Sequence, residues 1–163
     1  MRNVMLSTER CTLCNLCESD FSDAVKLFTD EQVRKYLGGA ISQEQAYDKL
    51  YRWINNNEDL YFCVRFNLTN DFIGIVSVSP HHDSRTKELS YQFLPDWWGR
   101  GIAKETLRGM LAYLKGATDI EELLAETQSL NMRSCRLLEN LGFEIFNTVQ
   151  RFGAEQRIYK IIL

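Results

Sequence analysis

The order of apolar and polar positions predicts strands and helices along the whole chain. Rough alternation from Arg10 to Cys17 predicts a first strand. "ESDFSDAVKLF" then carries Phe21, Ala24, Val25 and Phe28 at helical spacing, with Ser19 or Asp20 placed to cap the helix. The chain breaks at "LGGA" (37–40), after which Ser42, with Gln45 three residues on, reads as a capping box. Ala46, Leu50, Trp53 and Ile54 continue that second helix until Asn55-Asn56-Asn57 stops it. "LYFCVRF" (60–66) and "FIGIVSVS" (72–79) are rich in aromatic and β-branched residues and flank the turn-forming "NLTND", which predicts a β-hairpin. "ELSYQFL" (88–94) adds a third meander strand, closed by Pro95.

Farther on, Ile102, Leu107, Met110, Leu111 and Leu114 share one helical face that ends at Gly116. "ELLAETQ" (122–128) reads as a strand, and Met132, Cys135, Leu138 and Leu141 form a helical stripe stopped by Gly142. Two more strands follow, near 143–150 and 156–162. The order β-α-α-β-β-β-α-β-α-β-β predicts an α+β fold: one domain over 1–163, with a mixed sheet of about seven strands and about four helices packed on it.

Composition narrows the function. Hydrophobic residues make up 45% and charged residues 25% of the 163, as in ordinary soluble proteins. A net charge of −3 and no run of Lys or Arg leave no footprint for nucleic acid. No apolar stretch approaches the roughly 18 residues of a membrane span, and the N-terminus has Arg2 but no apolar core of a signal peptide. Five cysteines, three of them crowded into residues 11–17, argue against a disulfide framework and for a reducing cytoplasm. The "NLT" sequon at Asn67 is then only a turn.

The spacing of Cys11, Cys14 and Cys17 looks like a ligand run for zinc or an iron–sulfur cluster. On one strand, however, side chains alternate, so Cys11 and Cys17 point to one face and Cys14 to the other. They cannot converge on an ion, and strand packing is the expectation; a redox role for the three thiols stays open. No metal is expected.

The segment with chemistry is "ELSYQFLPDWWGRGIAKETLRGMLAYL" (88–114), a strand, a glycine turn and a helix in direct succession. Gly99 and Gly101 allow a tight turn, and the first N–H groups of the helix lie bare at its positive end, a cradle for a phosphate or pyrophosphate. It is neither a P-loop nor a Rossmann fingerprint. The residues Trp98, Gly99, Arg100, Gly101, Ile102 and Ala103 resemble the pyrophosphate motif of the GNAT family of N-acetyltransferases, written Q/R-x-x-G-x-G/A, with Trp98 departing at the first position. The form W-G-x-G-x-A resembles the RimJ/RimL branch, which acetylates ribosomal-protein N-termini. "STERCTLCNL" (7–16) sits where that branch has its first strand, and "NMRSCRLLENLGFE" matches N-x-x-S-x-x-x-x-x-x-x-G-F at Asn131, Ser134, Gly142 and Phe143.

The resemblance implies a mostly antiparallel GNAT sheet in which the strand 88–94 splays from the strand 122–128. Acetyl-CoA would enter that gap and pair with free backbone groups at Phe93 and Leu94, with its pyrophosphate on the N–H groups of Trp98 to Ala103 and added charge from Arg100 and Lys104. It also implies that Asn131 bonds the cofactor, although Asn131 is equally a good helix cap, and that Ser134 serves the leaving thiolate. Glu126 and Glu88 are the candidate bases, and His81 and His82 lie on the acceptor side. The implied activity is direct transfer of an acetyl group to a primary amine in a ternary complex. The acceptor would be a small amine or a protein N-terminus, and the overall negative charge slightly favours a cationic one such as a basic ribosomal-protein tail or a polyamine. A non-catalytic acyl-CoA-binding module is the alternative. Dimers are common in the family, which makes the C-terminal strands a candidate homodimer interface.

Overall fold

The computed structural model describes residues 3–83 and 85–163; Arg2, used above for the N-terminal reading, lies outside the described residues. Among the described residues eight strands appear: β1 (Val4–Ser7), β2 (Cys11–Asn15), β3 (Leu60–Phe66), β4 (Phe72–Pro80), β5 (Lys87–Phe93), β6 (Glu122–Gln128), β7 (Glu144–Arg151) and β8 (Ala154–Ile162). They form one sheet in the order β1-β2-β3-β4-β5-β6-β8-β7. Every neighbouring pair is antiparallel except β5 with β6. Five α-helices among the described residues accompany it: α1 (Phe21–Thr29), α2 (Glu31–Arg34), α3 (Gln43–Ile54), α4 (Ile102–Ala117) and α5 (Met132–Asn140).

The two faces of the sheet carry separate cores. On one face Leu107, Met110 and Leu114 of α4 and Cys135 and Leu138 of α5 pack on Leu13, Val64, Leu89 and Leu123. On the other, Phe21, Leu27 and Phe28 of α1 and Ala46 and Leu50 of α3 pack on Cys14, Cys63 and Ile75. The helix starts obey local rules. Ser42 and Gln45 cap α3 reciprocally, and Asp30 accepts from the N–H groups of Gln32 and Val33 to start α2.

The α+β class and mixed sheet hold, with one more strand and one more helix than expected. The additional elements are β1 and α2, each of four residues, too short to show a period in sequence. Cys11 and Cys14 do point to opposite cores, but Cys17 has left the strand. It precedes a turn of 3-10 helix at Glu18–Asp20, where its N–H and thiol both meet Asp20 Oδ2 at 3.1 Å. Asp20 precedes α1 without capping it through its side chain. Its carboxylate is fully buried and pairs with Arg65 Nη2 at 2.6 Å, and a buried charge needs such a partner more than a helix needs a cap. Met132, expected on the buried stripe of α5, is exposed at the helix start.

Candidate active site

The site begins with a parting of strands. β5 is registered to β4 along its whole length but meets β6 at a single position, Glu88 opposite Leu124. Beyond that point the two strands diverge. The Leu94 N–H donates to Ile73 O at 2.9 Å, and antiparallel pairing alternates. Gln92, Ser90 and Glu88 therefore direct their backbone groups to β4, while Tyr91 and Phe93 direct theirs into the split. A cleft of about 1070 Å³ opens there, with Leu89, Tyr91, Ala125, Thr127 and Ser134 among its walls. Gly74 keeps β4 close beside it, since a Cβ there would meet the Gln92 carbonyl and Phe93 Cδ1 (2.8 Å).

The expectation of free backbone groups at Leu94 is corrected. Its N–H is taken by Ile73, and its C=O accepts from the Trp97 N–H at 3.0 Å, because the chain turns into a 3-10 helix at Pro95–Trp97. The Phe93 carbonyl accepts the Trp98 indole N–H at 2.8 Å, so the Phe93 N–H and the Tyr91 backbone groups remain as those turned into the split.

The glycine loop closes one end of the cleft. Gly99 and Gly101 both hold φ +73°, and Gly101 is the N-cap of α4. The first bond of the helix runs from the Glu105 N–H to Gly101 O, which leaves the N–H groups of Ile102, Ala103 and Lys104 without intrahelical acceptors. With the helix dipole behind them they suit an anion. The Ile102 side chain is buried in the core, whereas Ala103 and Trp98 line the cleft. Arg100 lies elsewhere: its guanidinium sits over the Trp97 ring at 5.0 Å and lines a separate depression with Leu94 and Asp96. Lys104 is partly exposed in the first turn of α4. Arg10 ties the loop to the β1–β2 turn, donating to Glu105 Oε2 (2.6 Å) and to Arg100 O (3.0 Å), while Thr8 donates to Glu105 Oε1 (2.7 Å).

Across the split, Asn131 is the N-cap of α5, with Oδ1 accepting from the Ser134 N–H at 3.2 Å. Ser134 Oγ lies 2.6 Å from Tyr91 Oη. Burial pushes the Tyr91 hydroxyl up to about 12, only partly offset by the bond to Ser134, so it stays protonated at neutral pH.

At the other end of the cleft the structure brings together His81, Glu88 and Glu126. His81 is buried in the loop after β4. Its Nδ1 accepts from the Asp83 N–H at 3.3 Å, so a neutral ring carries its proton on Nε2, aimed at Glu126 Oε2 2.7 Å away. Glu88 Oε2 is 3.6 Å from the same nitrogen. Arg151 Nε lies 2.8 Å from Glu126 Oε1, a close charge contact whose angle is too poor for a hydrogen bond, and Arg151 also pairs with Asp83. Burial pushes the Glu88 carboxyl above the usual carboxylate range; His81 and the Ser90 hydroxyl pull it down and negative Glu126 raises it again. His81, Glu88 and Glu126 present ligand atoms within 4.8 Å of one another, enough to share an ion, although Glu126 is already held by His81 and Arg151. His82 is exposed and stacks edge-on against Phe152 at 5.6 Å, outside the cleft lining.

Comparison with known proteins decides what this assembly belongs to. The model of the acetyltransferase (GNAT) domain matches residues 10–144. The chain belongs to the GNAT family of acetyltransferases. Among curated proteins it is 24% identical over 151 residues to the uncharacterized N-acetyltransferase YoaA of Bacillus subtilis, covering 86% of this chain and 82% of YoaA. A GNAT-family acetyltransferase from Bacillus anthracis superposes with a TM-score of 0.85 at 19% identity, over 99% of this chain and 98% of its own. RimL, an alpha-N-acetyltransferase of a ribosomal protein, superposes at 0.84 and 14% identity, over 100% of this chain and 96% of its own.

As a GNAT protein the chain is an N-acetyltransferase, and the family takes acetyl-CoA as acyl donor. Three features of its site escaped the sequence. Tyr91 lay in plain view, one residue along from the polar Ser90 and Gln92, but nothing local says that a strand will split beside it. Arg151 reaches Glu126 across β8, and Thr8 and Arg10 reach Glu105 over more than 90 residues, distances no local pattern encodes.

Proposed function

We propose that the protein transfers the acetyl group of acetyl-CoA directly to a primary amine bound with it in a ternary complex, and that the acceptor is a peptide N-terminus or a small amine, as in the RimJ/RimL branch. The observation that carries this is the split between β5 and β6, with the bare N–H groups at the start of α4 at one extremity and a half-buried carboxylate pair at the other. The pyrophosphate rests on the N–H groups at the start of α4. The Phe93 N–H polarises the thioester carbonyl and stabilises the oxyanion that forms when the amine attacks.

Glu88 and Glu126 divide the remaining work. Glu126 is held in place by His81 at Oε2 and by Arg151 beside Oε1, which fixes it as the partner that orients this end of the cleft. Glu88, raised by burial, is the better base, and it removes the proton that the attacking nitrogen must lose. Ser134, backed by Tyr91, donates a hydrogen bond to the departing sulfur. A free thiol titrates near 8.5, far below the Tyr91 hydroxyl at about 12. The pair therefore stabilises the thiolate by hydrogen bonding and does not protonate it outright. Asn131 fixes the α5 terminus that presents Ser134.

A cytoplasmic site of action fits five free cysteines, and no helix among the described residues is long and apolar enough to cross a membrane. The test is release of CoA thiol from acetyl-CoA with a panel of amines and peptides, with product mass measured in parallel. Turnover that falls at least tenfold in Glu88→Gln, with acetyl-CoA affinity retained, supports the reading. A wild type that binds acetyl-CoA and acetylates nothing refutes it.

A further inference from the structure

The acceptor half of the cleft is polarised. On the face of the sheet covered by α1–α3 its floor is Tyr61, Ser77, Ser90 and Glu88, with Tyr61 opposite Ser77 on β3–β4 and Ser77 opposite Ser90 on β4–β5. Trp53 of α3 stacks on Tyr61, with ring centroids 4.7 Å apart and 15° between planes. Above that stack sits Lys49, its ammonium 5.5 Å from the Trp53 ring centroid and 5.7 Å from that of Phe28. Lys35 joins it in the same wall.

Lys49 is half-buried, and among the described residues no carboxylate lies within ion-pair distance of it. Arg34, another cation nearby, has spent its guanidinium on Gly39 O (3.0 Å) and Leu37 O (2.5 Å). A charge taken partly out of water costs free energy until an opposite charge meets it. Burial, Arg34 and Arg52 together hold the Lys49 ammonium below its usual range. The rings beneath it compensate only in part.

We propose that Lys49 receives an anionic group of the acceptor, so that the substrate is a primary amine carrying a carboxylate at its other end and not a polyamine. This rests on the transferase reading above. Two interstrand spacings of about 4.8 Å separate Tyr61 from Ser90, and Glu88 lies two residues farther along β5, so Tyr61 and Glu88 are on the order of 12 Å apart, a span that the acceptor bridges with a hydrogen bond at each end. A tripeptide spans that distance, at about 3.4 Å per extended residue. The chain's overall negative charge pointed toward cationic acceptors, but the charges lining the pocket matter more, because solution screens charges beyond about 10 Å.

The experiment compares kcat/KM for trialanine with a free carboxylate, its C-terminal amide, and spermidine, in wild type, Lys49→Gln and Lys49→Arg. The free acid should exceed the amide about tenfold in wild type, mainly through KM. Lys49→Gln should erase that preference without lowering turnover of the amide, and Lys49→Arg should keep it. Equal rates for acid and amide in wild type, a spermidine rate above that of the acid, or a Lys49→Gln loss shared equally by acid and amide would overturn the proposal. If Lys49→Gln fails to fold, the wild-type comparison of acid with amide decides alone. Failure of trialanine and its amide, while other amines of the panel are acetylated, overturns this inference alone; failure of every amine of the panel, with acetyl-CoA still bound, overturns the transferase reading and this inference with it.

Discussion

Replacing Tyr91 by Phe removes one oxygen from the split and leaves the ring packed where it is. Tyr91 touches no part of the acyl group in the proposed mechanism; it acts through Ser134, 2.6 Å away. A hydrogen bond between neutral groups contributes about 1 kcal/mol net, and one to a charged group about 2 kcal/mol. Ser134→Ala loses the bond to the thiolate itself, so its kcat should fall about thirtyfold, whereas Tyr91→Phe, which only loosens the hydroxyl that makes that bond, should fall about fivefold. The double variant should be no slower than Ser134→Ala, since Tyr91 has nothing left to polarise. The assay is thiol release at saturating acetyl-CoA and acceptor, with acetyl-CoA affinity and melting temperature measured alongside to separate catalysis from folding. A double variant slowed by the product of the single effects, about 150-fold, or a Tyr91→Phe enzyme with unchanged kcat, would refute the relay.

Three further outcomes follow from the geometry. Glu88→Gln should lose activity yet be as stable as wild type or more so at neutral pH. The folded pKa of Glu88 is raised, so its contribution to stability is present below its unfolded value near 4.3 and is lost as pH rises through the folded value; the amide removes that loss. The same raised pKa sets the acid limb of the rate profile, with activity falling as pH drops through it, and thermal melts and initial rates from pH 5 to 9 check both halves. Gly101→Ala places a side chain at φ +73°, which costs about 1–2 kcal/mol; the free loop relaxes to escape that strain, so acetyl-CoA binding, which needs the strained turn, should weaken about 5- to 30-fold by calorimetry while the melting temperature falls by no more than a few degrees. Gly74→Ala drives a Cβ into the Gln92 carbonyl and Phe93; it should destabilise the fold by about 1–3 kcal/mol in a denaturant titration and weaken acetyl-CoA binding with it.

How much of this was legible in the sequence depended on how local each cause is. The α3 capping box, the stop at Gly142 and the strand 122–128 are set by residues within a few positions, and each stands as read. The glycine turn before α4 was equally plain, because only glycine takes φ +73° without strain. What the residues of that turn touch was not. The Arg100 guanidinium lies over Trp97 instead of the cleft, and Leu94 has both backbone groups engaged because Pro95 bends the chain back on it. The carboxylates were recognisable as candidates, but the contact of Glu126 with Arg151 was not, because Arg151 comes from a strand that the sheet brings near only through β8. Cys17 misled for a related reason: alternation continues on paper past Asn15, while the strand ends there to let Asp20 reach Arg65.

Acetyl-CoA is proposed to lie in the split between β5 and β6 with its pyrophosphate on the start of α4. Residue-resolved amide hydrogen exchange, with and without saturating acetyl-CoA, tests it most directly. We expect new protection at Tyr91 and Phe93 and at Ile102, Ala103 and Lys104, with little change at Ser90 and Gln92, whose N–H groups are already committed to β4. Binding that leaves those five amides unprotected, or that protects another surface, would contradict it.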